Sequence, residues 1–186
     1  MRDIYSWDVN SIYLGCEIYF FGMSTIFNWD LNYIYTPLFY GCSSLKQIEI
    51  FQNTHNVIDL SYMFCLCTSL TSLNIKNFNT QNVKDMRNMF YKCSSLTSID
   101  VTNFNTQNVT DMSCMFYSCF SLNSLNIGNF NIENVLDMKE MFYNCNKLSY
   151  LDLFNFDTSK VTSMKGMFSE CYRLTSINIS SFNTKM

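Results

Sequence analysis

Proline occurs once and glycine only five times in 186 residues, so the two usual punctuators of a chain cannot supply most of its turns. That work falls to Asn, Asp, Ser and Thr, whose side chains bond to nearby backbone groups. Histidine occurs once, at His55. With one imidazole, no glycine-rich phosphate loop and no acid–base set outside the repeat phase, nothing here forms a tuned nucleophile or proton carrier, and catalytic residues are not expected. A lone His is also a poor start to a ligand set, and neither a metal nor a cofactor is expected. Charged residues are sparse, 15% of the chain with a net charge of −3, and the Lys and Arg are scattered among acids. Nucleic-acid binding, which needs clustered cations, is disfavoured. Long apolar runs are missing too: Tyr19–Phe21 sits between Glu17 and Asp30, far too short a stretch to span a bilayer. The opening MRDIYSWDVNSIYLGCEIYFFG carries both charge signs and no apolar h-region, so no secretory signal is read in it.

What is present is a folding chain, 48% hydrophobic, that repeats itself. Phenylalanines stand at Phe78, Phe104, Phe130, Phe156 and Phe182, each 26 residues after the last. Val83, Met86, the pair Met89 and Phe90, Cys93 and Leu96 recur at the same interval through Val161, Met164, Met167, Cys171 and Leu174. A fixed interval of this size marks a solenoid, whose units bury their apolar faces only by stacking. Upstream the phrase decays: Val57, Met63, Phe64, Cys67 and Leu70 keep it with a one-residue adjustment near Phe51, and Phe39, Cys42 and Leu45 keep it one step earlier. Residues 1–40 read as divergent N-terminal coils forming a cap, and 41–186 as the tandem solenoid.

The period changes within a unit. LTSIDV places Leu96, Ile99 and Val101 inward and Asp100 outward, a short strand with one buried face. DMRNMFYKC places Met86, Met89, Phe90 and Cys93 at i, i+3, i+4 and i+7, which predicts a short helix started by Asn82 or Asp85. The expected fold is an α/β repeat, with one short parallel strand and one short helix in each 26-residue coil.

A strand spelled LxxIxV, then NF, an Asn/Thr-rich turn, NVxDM and MFxxC, resembles the leucine-rich repeat of BspA-like surface proteins, the kind common in mycoplasma lipoproteins. The resemblance covers roughly residues 37–186 and implies a right-handed solenoid, displayed on a surface and used for adhesion or protein contact. It brings no catalytic motif. No signal, lipobox cysteine or wall-sorting tail is read here, so surface or extracellular localisation rests on the resemblance alone. The expected role is a protein-interaction or adhesion module with a protein ligand. The alternatives are a structural spacer or fragment of a longer surface protein, or an intracellular scaffold or effector.

Several columns follow from the phase. Cys42, Cys67, Cys93, Cys119, Cys145 and Cys171 share one apolar position and are expected to be reduced core thiols. Cys16, Cys65 and Cys114 lie off that ladder, and Cys65, where later coils carry Tyr, reads as the most reactive thiol. The twelve methionines read mainly as core filler. The outward strand position supplies Glu49, Asn74, Asp100, Asn126, Asp152 and Asn178, either an amide ladder bonded along the column or a recognition face. Tyr40, Tyr91, Tyr117 and Tyr143 form another column, packing along a flank or anchoring an interface. The candidate binding face is therefore Asp100, Asn126, Asp152 and Asn178 with Tyr91, Tyr117 and Tyr143. Sequons at Asn108 and Asn178 are what an Asn-rich chain produces by chance. SFNTKM stops where another unit would begin, which predicts an uncapped coil and either a truncated parent or end-to-end self-association.

Overall fold

Because the apolar residues recur at one interval, each turn of the chain can cover the apolar side of the turn before it. The computed structural model describes residues 37–49 and 54–183. Within them six coils are marked by Phe39, Phe64, Phe90, Phe116, Phe142 and Phe168, whose rings stack with centroids 5.2 to 5.9 Å apart and planes within 14°. Successive copies of the phrase are thus physical layers. Most of the expected cap, residues 1–36, lies outside the described residues. The stretch from residue 37 already keeps the ladder, since the Phe39 N–H donates to the Met63 carbonyl at 2.9 Å.

The core is the sum of the inward columns. Val83, Met86, Met89, Phe90, Cys93 and Leu96 have no exposed surface, and their counterparts one and two coils later are equally closed. Ile99 and Val101 are buried while Asp100 is exposed, as the strand reading requires. Strands form in four coils: β1 (Gln47–Glu49), β2 (Ser72–Asn74), β3 (Tyr150–Asp152) and β4 (Ser176–Asn178). β1 pairs with β2 and β3 with β4, both parallel, with Ile48 opposite Leu73 and Leu151 opposite Ile177. The matching stretches 98–100 and 124–126 keep the inward–outward pattern without becoming strands.

The predicted helix is a correction. No helix occurs among the described residues, and each DMxxMFYxC segment is a chain of turns. In the third coil the N–H groups of Met89, Tyr91 and Cys93 reach back three residues to Met86, Asn88 and Phe90. Those of Met86, Asn88, Phe90 and Lys92 instead point along the solenoid axis, donating to Asp111, Ser113, Met115 and Tyr117 of the next coil at 2.7 to 3.0 Å. An α-helix would keep these donors inside its own segment. Alternation costs two residues in the left-handed region in each of the second to sixth coils, Tyr62 and Leu66, Asn88 and Lys92, Cys114 and Ser118, Glu140 and Asn144, Gly166 and Glu170, and Gly41 takes that conformation in the first. Only glycine, and to a lesser degree asparagine, adopts that region easily. The inter-coil hydrogen bonds hold the others there.

Two polar columns tie the layers together. The Thr80 hydroxyl donates to the Asn105 carbonyl at 2.9 Å and accepts the Asn105 N–H at 2.7 Å, and Thr54, Thr106 and Thr158 do the same one coil on from each. Each ladder thiol donates to the carbonyl of the preceding coil's stacked phenylalanine, from Cys67 to Phe39 through Cys171 to Phe142, at 2.9 to 3.2 Å. Five of the six ladder cysteines are free thiols, as expected. Cys42 departs from the expectation, being disulfide-bonded.

Candidate functional site

A residue outward at the end of a strand must also close the turn that follows. Asp100 does so by accepting the Thr102 N–H at 3.0 Å and the Thr102 hydroxyl at 2.6 Å. These bonds hold its carboxyl below the ordinary value. Asn126 accepts from the Gly128 N–H, Asp152 from the Phe154 N–H and Asn178 from the Ser180 N–H, at 3.1 to 3.3 Å. The bonding is therefore mainly within each coil rather than along the column. Asn74, which donates its amide to the Glu49 carboxylate, shows the along-column bond expected of an amide ladder. Asp100, Asn126 and Asp152 are exposed and Asn178 is half-buried. Each carboxyl or amide commits one oxygen to its own turn, leaving a second polar atom for a partner.

Tyr91, Tyr117 and Tyr143 follow the stacked phenylalanines and stack in their turn, with centroids 4.6 Å apart and planes 16° and 8° from parallel. The rings are half-buried, and burial followed by the next phenol in the column raises the Tyr91 and Tyr117 hydroxyls above their usual value. The Lys92 amine stands 5.4 Å from the Tyr91 ring centre. With their faces turned to one another, these rings can offer a partner mainly edges and hydroxyls. Tyr40 instead leans on Tyr62 at 6.4 Å and 53°. Cys65 fills the tyrosine position in the second coil and Ser169 in the sixth.

The expectation that Cys65 is the reactive thiol is overturned. It is 3% exposed, and burial pushes its pKa up to about 11. Burial also raises Cys114 to about 11, helped by the Glu140 carboxylate 3.8 Å from its sulfur. Neither supplies a thiolate at neutral pH.

Sequence reasoning missed one column. Asp59, Asp85, Asp111 and Asp137 bridge from coil to coil, with Ser163 taking the place in the sixth. Each carboxylate accepts the N–H two residues on, at 2.7 to 2.9 Å. Asp85 was legible as a cap, but the alignment of four acids appears only once the coils are stacked. Burial first, then the Asp111 and Asp59 charges, push Asp85 above the ordinary carboxyl value, against the pull of Arg87. The Arg87 guanidinium is 3.3 Å from Asp85.

No helix among the described residues is long and apolar enough to cross a membrane. The DUF285 family, described as a Mycoplasma protein of unknown function, matches residues 8–125, 33–150 and 110–186. The first two matches are displaced by 25 residues, the step between Phe39 and Phe64. The chain is similar in structure to a leucine rich cell surface protein of Faecalibacterium prausnitzii A2-165, at 24% identity and a TM-score of 0.50, over 75% of this chain and 34% of that one. It is also similar to the T. pallidum Leucine Rich Repeat protein, at 20% identity and a TM-score of 0.49, over 77% of this chain and 60% of that one. The likeness to the Faecalibacterium protein shows the fold, a leucine-rich-repeat solenoid, and this chain spans about a third of that protein's length. No curated protein matches the chain.

Proposed function

The chain belongs to the DUF285 family of Mycoplasma proteins, and from that premise we propose that it is a non-enzymatic protein-interaction module, a leucine-rich-repeat solenoid of the surface-protein kind that serves adhesion. The observation that carries this reading is the outward strand face. One repeat position supplies exposed Ser72, Ser98 and Ser124 and the next outward one Asn74, Asp100, Asn126 and Asp152, none of which is buried, with parallel strand pairing at Ser72 and Asn74 and again at Asp152. Solenoids use such laterally repeated faces to bind other proteins. The stacked tyrosines are a second candidate contact column, one that would offer hydroxyls and ring edges rather than ring faces.

The test is retention of chain-coated beads on a panel of immobilised extracellular-matrix and cell-surface proteins. Saturable retention by at least one protein is expected, abolished by Ser98→Arg with Ser124→Arg and spared by Gln81→Arg with Gln107→Arg, all four sites being exposed. Melting curves should be unchanged in both. Equal retention of the two variants, or retention of none of the chains, overturns the reading.

A further inference from the structure

Tandem copies of one phrase act as internal controls. A side chain present in every coil serves the fold, whereas an exposed aromatic found in one coil where the others carry small polar residues has no such duty. Two residues meet that description. The outward strand position holds Gln47, Ser72, Ser98, Ser124 and Ser176, but Tyr150 in the fifth coil, 53% exposed. The residue two after the turn-closing Asx is Lys76, Thr102, Gly128 or Ser180, but Phe154 in the fifth coil, 60% exposed. The residue after the ladder cysteine is Ser43, Thr68, Ser94 or Asn146, but it is aromatic in two coils, Phe120 in the fourth at 40% exposure and Tyr172 in the sixth at 76%, so Tyr172 joins the other two by its exposure and its place beside Arg173 rather than by standing alone in the phrase.

Charge departs from the phrase at the same place. The position that carries Ser44, Ser69, Ser95 and Ser121 becomes Lys147 in the fifth coil and Arg173 in the sixth, both exposed. The one ion pair among the described residues is between Arg87 and Asp85, so neither cation is neutralised by a described acid. Around the rings the neighbours are small. Ser176 is the register partner of Tyr150, and the site flanking Phe154 in the preceding coil is Gly128, where an added Cβ would meet only the Asn126 Oδ1, at 3.6 Å. Each of these aromatics keeps more than half of its surface exposed.

We infer that the fifth and sixth coils carry a docking patch, Tyr150, Phe154 and Tyr172 beside Lys147 and Arg173, for an extended acidic protein segment that presents apolar side chains. The inference rests on the interaction-module reading and names the site and partner class within it. Exposed aromatics with arginine are the usual anchors of interfaces, because they bury large area at low entropy cost. Unpaired cations at the edge of such a patch choose a partner of opposite sign and speed its arrival. Asp152, between Tyr150 and Phe154, gives the partner an orientation. One of its oxygens is spent on the Phe154 N–H, the other receives a backbone N–H of the segment, and the segment's carboxylates lie toward Lys147 and Arg173.

The test uses the full chain and three labelled peptides of equal length, alternating Glu with Phe, Lys with Phe, and Glu with Ser, read by fluorescence anisotropy. The Glu-Phe peptide is expected to bind most tightly and to weaken as salt is raised. Tyr150→Ser, Phe154→Thr and Tyr172→Ser together copy residues other coils already carry, so the fold should persist, as a melting curve checks. This variant and, separately, Lys147→Ser with Arg173→Ser should each lose about tenfold in affinity or more. Equal binding by wild type and the aromatic variant, or equal binding of the Glu-Phe and Lys-Phe peptides, overturns the patch. If bead retention survives in the aromatic variant while peptide discrimination is absent, the patch falls and the broader reading stands. Bead retention absent in every chain removes the broader reading whatever the peptides show.

Discussion

Replacing Phe116 by alanine strikes the solenoid at its middle. The ring has no exposed surface and lies between Phe90, 5.4 Å away, and Phe142, 5.8 Å away. Truncating a buried phenylalanine costs about 3–5 kcal/mol, the spread reflecting how far the site can collapse. Collapse is resisted here. The Phe116 N–H is held by the Met141 carbonyl at 2.9 Å and its own carbonyl by the Cys145 thiol at 3.1 Å, so the backbone cannot move inward without breaking ladder bonds. Two lost ring stacks, worth about 0.5–1.5 kcal/mol each beyond area, favour the upper half of that range. In a one-dimensional stack the damage falls on both interfaces of the fourth coil, weakening the coupling between the coils on either side. Urea unfolding followed by circular dichroism should therefore show an earlier midpoint and a broader or split transition. Phe168→Ala, half-buried and stacked among the described residues on Phe142 alone, should cost less than half as much. A Phe116→Ala chain within about 1 kcal/mol of wild type, or one no worse than Phe168→Ala, would refute the layered core.

Three further outcomes are expected. Asp111→Asn keeps the acceptor for the Ser113 N–H and removes a charge between Asp85 and Asp137, so stability at neutral pH should rise by roughly 0.5–1 kcal/mol. The folded pKa of Asp85 lies above its ordinary 3.8, so its ionisation penalises the native state at neutral pH and the penalty fades as pH falls through the folded value. The gain from Asp111→Asn should shrink over the same range, and a gain unchanged at acid pH would sink the charge argument. At the left-handed positions, Glu170→Gly should stabilise by about 0.5–1 kcal/mol. Gly166→Ala should destabilise, its φ being +67° and its new Cβ 3.2 Å from the Glu140 Cγ; opposite signs in thermal melts would contradict the strain reading. Alkylation with peptide mapping should find Cys65 and Cys114 slow at neutral pH, faster as pH approaches about 11, and fast once the chain is unfolded. Ready labelling of native Cys65 would show that it is not buried.

Repetition alone determined which residues face inward. Met86, Met89, Phe90, Cys93, Leu96 and Val101 were legible as core, because a position that stays apolar through several copies can only be one that every copy buries. The same spacing misled about the backbone. Residues at i, i+3, i+4 and i+7 share a helical face, but a chain of turns with Asn88 and Lys92 in the left-handed region brings the same four inward. A segment this short cannot stabilise a helix by itself, so its conformation was decided by the carbonyls of the next coil, which take every second N–H. Tertiary structure likewise decided that the tyrosines stack face to face, that the aspartates align, and that Cys65 is closed to solvent. Each of these depends on what lies one layer away. Sequence specifies the interval between layers, whereas stacking, charge proximity and burial arise only when the layers meet.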